Sequence, residues 1–496
     1  MAFPQSFITH KFKVRPGAII AASVLAVLLA APSSAQSAYF KNSTVPRLPE
    51  RVAPETPEHQ KLLQDNRAER QREIEALHLT GVRDGTDGRN PDAPNAANYD
   101  PALANPYPRP SDVLRMEGGA ETTTAALWWA ERRPEIVAAF EREIYGRMPD
   151  NVPGVTWKVV STKTESVNGV KAVVKELVGH VDNSAYPSIS VEINMTETLP
   201  ANVKGRVPVI LQYGGGNRIP QGKRPSELLD GYKTPGPYTG PDGRTQLLKL
   251  GWGFATIDAN SVQADNAAGL SAGIIGLVNK GQPRKMDDWG VLRAWGWGAS
   301  RALDYLQSDP RVAADEIGIT GHSRAGKAAI VAMAFDSRFA IGFISSSGGA
   351  GAKLLRHNYG ETLESIAAPE EFHWMAGNYL KYVADPLNAN YLPVDADAMI
   401  SLCAPRPVFI SAGNPESGDA WVDAPGTFMA ALGAGPVYTL LGKKPLESDT
   451  FPALGTPLLG GDIGFRQHNY GHGAAQGPNW ETFLKFAQKY FKIEKR

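Results

Sequence analysis

Apolar residues recur at two different periods along this chain, and the change of period divides it. From Leu127 onward Trp128, Trp129, Ile136, Val137, Phe140 and Ile144 recur at helical spacing, and Tyr145-Gly-Arg-Met-Pro149 closes the segment as a turn. From Val155 the pattern becomes alternating and β-branched. Val155 to Val160, Val170 to Val178 and Ile189 to Ile193 read as antiparallel strands, with Asn168-Gly169 as a two-residue hairpin turn between the first two. Short, wholly apolar runs follow: Val207 to Leu211, Gly253 to Ile257, Ile317 to Thr320, Ile341 to Ser345 and Val408 to Ser411 read as strands buried on both faces. Helical stretches separate them, notably Trp289 to Leu306 and Ala325 to Ala334, and Trp480 to Phe491 supplies a helix at the C-terminus. This alternation predicts an α/β fold with a mostly parallel central sheet, antiparallel strands at its start and helices on both faces.

The N-terminal part reads differently. Lys11, Lys13 and Arg15 precede an apolar run from Gly17 to Ala31, and Ser33 and Ala35 sit at cleavage positions, so residues 1–35 read as a secretory signal peptide. The run of about 15 residues is shorter than the roughly 20 that span hydrocarbon. Its removal leaves three more acidic than basic side chains, because the whole chain carries 51 of each. The expectation is an exported protein, periplasmic or extracellular, with no membrane attachment after cleavage. Residues 36–110 are rich in Pro, Asn, Asp and Ala and read as a polar extension or linker, within which 60–78 is helical but polar and therefore peripheral. Residues 111–496 read as one catalytic domain, expected to act as a monomer.

Composition narrows the function. With 42% apolar residues, 10 Trp, 16 Tyr and 17 Phe the chain can build a large core, and balanced charge offers no basic footprint for nucleic acid. The single cysteine, Cys403, makes neither an internal disulfide nor a multi-cysteine metal site.

Candidate chemistry centres on Gly321-His-Ser-Arg-Ala-Gly326, which lies between the apolar run ending at Thr320 and a helix. Glycines two and three residues from the serine let strand and helix approach, as in the nucleophile elbow of the α/β-hydrolase fold, which nominates Ser323 as nucleophile. Such a serine needs a base and an orienting acid, in the order Ser, acid, His. His472 is favoured over His468 because glycines flank it in a loop before the last helix. Glu416 and Asp419 both follow the 407–411 run, and pattern alone does not choose between them. The glycine-rich loop in Leu211-Gln-Tyr-Gly-Gly-Gly-Asn217 and the guanidinium of Arg324 are candidate oxyanion donors. Neither metal nor cofactor is required.

The run Gly-His-Ser-Arg-Ala-Gly-Lys-Ala-Ala, residues 321–329, resembles the nucleophile motif of glucuronoyl esterases, carbohydrate esterase family 15. Arg132-Arg-Pro-Glu135 through Tyr145-Gly-Arg147, Trp295-Gly-Trp-Gly-Ala-Ser-Arg301, Arg356-His-Asn-Tyr-Gly-Glu361, Ala404-Pro-Arg-Pro407, Asp419-Ala-Trp421 and Gly471-His472 follow in the order of that family. The resemblance implies hydrolysis of esters between (4-O-methyl)glucuronic acid on xylan and alcohols, including those of lignin. It implies Ser323, His472 and Arg324 in the roles above, Lys327 and Glu361 on the sugar hydroxyls, and Trp421 beside the sugar. It favours Asp419 as the acid. Fungal members carry a Glu where this chain has Ser346, so the chain is expected to follow the bacterial arrangement, with the acid on the later loop. Two other readings stand beside it: an acetyl xylan esterase or other carboxylesterase of the same fold, and a non-catalytic relative that binds carbohydrate or a partner.

Overall fold

The computed structural model describes residues 56–90, 92–104, 112–214, 240–472 and 477–491. Residues 1–35, expected to be a signal peptide, and the glycine-rich loop beyond Gly214 lie outside them. No helix among the described residues is long and apolar enough to cross a membrane.

Ten strands form one sheet. In chain order they are β1 (Val155–Val167), β2 (Val170–Val181), β3 (Glu192–Pro200), β4 (Val207–Gly214), β5 (Gly253–Asp258), β6 (Val312–His322), β7 (Ile341–Ser345), β8 (Val408–Gly413), β9 (Pro457–Leu458) and β10 (Ile463–His468). Across the sheet the order is β1-β2-β3-β5-β4-β6-β7-β8-β10-β9. Pairing is antiparallel from β1 to β3, between β3 and β5 and between β10 and β9, and parallel elsewhere. This is the α/β-hydrolase architecture. Asn168 and Gly169 turn the β1–β2 hairpin with φ of 46° and 84°, as a tight primed turn requires.

The consecutive residues Val209, Ile210 and Leu211 are all fully buried because both faces of β4 are covered. The longer helices are, in chain order, α1 (Pro57–Ala76), α2 (Arg133–Glu143), α3 (Gly243–Leu250), α4 (Val291–Ser308), α5 (Arg324–Phe335), α6 (Ala396–Cys403), α7 (Ala424–Leu440) and α8 (Gly477–Ala487). Val209 and Leu211 point to the larger core, shared with α4 and α5. Ile210 points to a second core with Phe343, Phe409 and three aromatic residues of α8 (Gly477–Ala487), Trp480, Phe483 and Phe486.

The third strand lies further along than its pattern suggests, at 192–200 rather than 189–193. Glu197 interrupts the apolar run, yet it is buried in the strand and paired with Lys175 of β2 at 2.8 Å. The polar helix α1 (Pro57–Ala76), read as peripheral, docks through its few buried residues. Glu73 and Arg284 form a wholly buried ion pair at 2.7 Å, and the Asn66 carboxamide accepts from the N–H groups of Ala267 and Ala268. Breaking such a pair on one side leaves an uncompensated buried charge, typically costing about 3–5 kcal/mol.

Candidate active site

Strand β6 ends at His322 and α5 begins at Arg324, so Ser323 alone makes the turn between them. Its φ of 58° and ψ of −131° lie where a side chain is strained, at a cost of about 1–3 kcal/mol. Neighbouring glycines make the turn possible: a Cβ on Gly321 would lie 2.0 Å from the Ala325 carbonyl oxygen, and one on Gly326 2.9 Å from that of Ser345. The Ser323 N–H donates to Ser345 at the end of β7 (3.0 Å), while the Ser323 carbonyl accepts from Gly326 and Lys327. The backbone is thereby fixed and the hydroxyl stands clear of it.

His472 places Nε2 3.0 Å from Ser323 Oγ and Nδ1 2.7 Å from Asp419 Oδ1. Asp419 lies on the loop after β8 and is wholly buried, whereas Glu416 is exposed on the turn 415–417. Of the two acids left open by pattern, the geometry brings Asp419 to the imidazole. The second carboxylate oxygen, Oδ2, accepts from the Gly413 N–H (2.9 Å) and the Ser346 hydroxyl (2.6 Å).

His468 ends β10 behind this pair, fully buried, with Nε2 3.2 Å from Ser346 Oγ. Because the Tyr470 N–H donates to its Nδ1, the imidazole proton sits on Nε2 and points at Ser346. Burial pushes the His468 pKa down to about 4, so the ring is neutral. The passed-over histidine thus stands behind the acid, and the favoured one faces the serine.

Arg324 donates through Nη1 to Asp265 (2.5 Å), and its guanidinium lies over the Trp374 ring. Asp265 also accepts from Trp374 Nε1 at 2.7 Å and pairs with His373 Nε2 at 3.0 Å. Burial raises the Asp265 pKa, but these partners outweigh it and hold the carboxyl below its ordinary range. Lys327 is buried one turn into α5. Its three ammonium donors meet three acceptors, the carbonyls of Ser347 (2.7 Å) and Gly349 (2.5 Å) and Glu361 Oε2 (2.7 Å). Glu361 Oε2 also accepts from the Gly349 N–H. The Glu361 N–H in turn donates to the carbonyl of Trp421, which is partly exposed beside Tyr99, Tyr359 and Ala420.

A family model described as glucuronyl esterase, fungi, matches residues 283–442. A carbohydrate esterase of an unknown prokaryotic organism is 30% identical over 430 residues, covering 80% of this chain and 93% of its own. Among solved structures, a family 15 glucuronoyl esterase from Teredinibacter turnerae is 41% identical with a TM-score of 0.77, covering 86% of this chain and 99% of its own. The chain belongs to carbohydrate esterase family 15. A glucuronoyl esterase from Solibacter usitatus, 32% identical with a TM-score of 0.68, covers 79% of this chain and all of its own.

Membership of family 15 makes the chain a carboxylic ester hydrolase. In this family 15 chain burial pushes the His472 pKa down, but the charge and hydrogen bond of Asp419 push it up by more, leaving it above the usual 6.5. The neutral imidazole is the form able to take a proton. We therefore expect kcat/KM to fall, with unit slope, as pH drops through a midpoint above 6.5, and a pH–rate profile checks it. Asp419→Asn removes the raising charge and moves that midpoint down; a midpoint indifferent to the substitution contradicts the pairing. Sequence reading missed Asp265 and the roles of Ser346 and His468. The only local signal was that a second histidine precedes His472 by four residues.

Proposed function

We propose that this chain hydrolyses the ester between (4-O-methyl)glucuronic acid of glucuronoxylan and an alcohol, including the alcohols of lignin. The observation that carries the mechanism is the unbroken line from Ser323 Oγ through His472 to Asp419, at 3.0 and 2.7 Å. Ser323 attacks the uronate carbonyl as His472 Nε2 takes its proton. The Arg324 guanidinium and the backbone N–H groups at the start of α5 stabilise the oxyanion, aided by the glycine-rich loop after β4. The protonated His472 then gives its proton to the departing alcohol, leaving a glucuronoyl ester on Ser323. Water, deprotonated by the same imidazole, attacks that ester and releases the uronic acid.

Sugar recognition rests on Lys327, Glu361 and Trp421. With all three Lys327 donors engaged, its ammonium acts by fixing Glu361, whose contacts among the described residues run through Oε2. The other carboxylate oxygen then accepts from a sugar hydroxyl. A Lys327 donor reaches the sugar only by exchange with one of its present acceptors. Trp421, partly exposed on the adjoining loop, borders the sugar on this reading. The names printed for relatives, glucuronoyl esterase and 4-O-methyl-glucuronoyl methylesterase, support this substrate class. Export as a monomer, after removal of residues 1–35, belongs to the same proposal.

The test is turnover of benzyl or methyl glucuronate and of acetylated xylan by the purified chain. Release of glucuronic acid is expected; release of acetate with intact glucuronate esters would replace this reading with an acetyl esterase.

A further inference from the structure

The N-terminal extension does more than precede the catalytic domain. From Val82 it runs as a strap along the loop that carries Glu361. Val82 bridges Ala384, and Arg83 pairs with Glu364 at 3.1 Å and donates to the Tyr382 carbonyl at 2.7 Å. The Thr86 hydroxyl meets that of Ser365. At its far end Ala97, Asn98 and Tyr99 are all buried.

Asn98 grips the loop twice. Its side-chain amide donates to the Asn358 carbonyl (2.8 Å), and its backbone carbonyl accepts from the Gly360 N–H (2.8 Å). The carboxamide oxygen accepts from the Asp100 N–H at 2.8 Å, which sets the orientation of the amide. Between the two gripped residues Tyr359 meets the Tyr99 ring edge-on, at 5.6 Å. Gly360 has φ of 61°, and a Cβ there would lie 2.5 Å from the Trp421 carbonyl oxygen, so this backbone is pressed against the Trp421 loop. The next residue is Glu361, bonded through its N–H to that carbonyl at 2.8 Å. Displacing 358–360 therefore moves Glu361 and Trp421 together. Among the described residues Ser323 and His472 share no hydrogen bond with Asn98, and Asp419 is held separately by Gly413 and Ser346.

We infer that the strap of residues 82–90 and 92–104, acting through Asn98, positions the sugar-contacting wall of this esterase. Asn98 is a positioning residue for Glu361 and Trp421, and the inference rests on the proposed sugar role of those two. Their hold on the uronic acid is felt equally in the bound ester and the transition state, so the strap sets KM and leaves kcat nearly alone.

The experiment is steady-state hydrolysis of benzyl glucuronate by full-length wild type, Asn98→Ala, Asn98→Asp and Glu361→Gln, with thermal unfolding of each. Asn98→Asp is nearly isosteric and keeps the acceptor toward Asp100 while losing the donor to Asn358, so it tests the grip even if the alanine variant folds poorly. Loss of one buried hydrogen bond in the wall should raise KM about tenfold, with kcat within about threefold and unfolding still cooperative. Unchanged kinetics in both Asn98 variants, or a fall in kcat at constant KM as lost folded enzyme would give, overturns the inference. If Glu361→Gln raises KM while neither Asn98 variant does, the strap inference alone falls. If Glu361→Gln leaves KM at the wild-type value, the sugar reading falls and the inference with it.

Discussion

Ser323→Ala is expected to lower kcat on benzyl glucuronate by about 10⁵–10⁶-fold, leaving KM within a few-fold of wild type. The Ser323 hydroxyl is the group on the strained turn able to attack, and His472 Nε2 lies 3.0 Å from it, in reach of its proton. Alanine fits the same backbone, because Ser345, Gly326 and Lys327 hold the turn through main-chain atoms. The fold and the sugar wall should therefore survive, and residual turnover reports what the oxyanion donors do without a nucleophile. Single-turnover kinetics with thermal unfolding as a control makes the measurement. A variant that retains a tenth of the activity would require another attacking group and would end the Ser323 assignment.

The second large effect belongs to Asp419→Asn, for which kcat should fall about 10⁴-fold, as when an orienting acid loses its charge and the base takes the wrong tautomer. The loss follows from the donors already in place. Gly413 N–H and the Ser346 hydroxyl both point at the Oδ2 position and demand an acceptor there. The amide oxygen settles against them, and the NH₂ group is turned to His472 Nδ1. That nitrogen must then accept, the ring proton moves to Nε2, and the imidazole faces Ser323 as a donor, unable to remove its proton. Glu416→Gln, on the exposed turn, should stay within about twofold of wild type in kcat, as surface changes usually do. The pair of kcat values decides between the acids, and a larger loss at Glu416 would reverse the assignment.

The parallel strands were legible because burial on both faces forces continuous apolar runs, and Ser323 because its turn demands glycines within three residues. Other features are set by partners far along the chain. The third strand slipped because Glu197 looks solvated until Lys175 of the neighbouring strand is seen beside it. A further helix, α7 (Ala424–Leu440), escaped notice because Gly426, Gly435 and Pro436 break the helical signal while its tertiary contacts preserve it. Glu416 and Asp419 share one turn and one composition, and only the fold decides which is turned inward. Asp265 meets Arg324 across 59 positions, Ser346 meets His468 across 122, and Asn98 reaches Asn358 across 260. No local periodicity records such distances.

The hydroxyl of Ser346, just past β7, lies 2.6 Å from the carboxylate that arrives after β8. Two adjacent strands therefore end at a single point behind the base, and either can deliver the negative charge required there. A family can shift its acid from one strand end to its neighbour without relocating the histidine or rebuilding the elbow. In this chain the position just past β7 carries a small hydroxyl, which steadies the carboxylate its neighbour supplies.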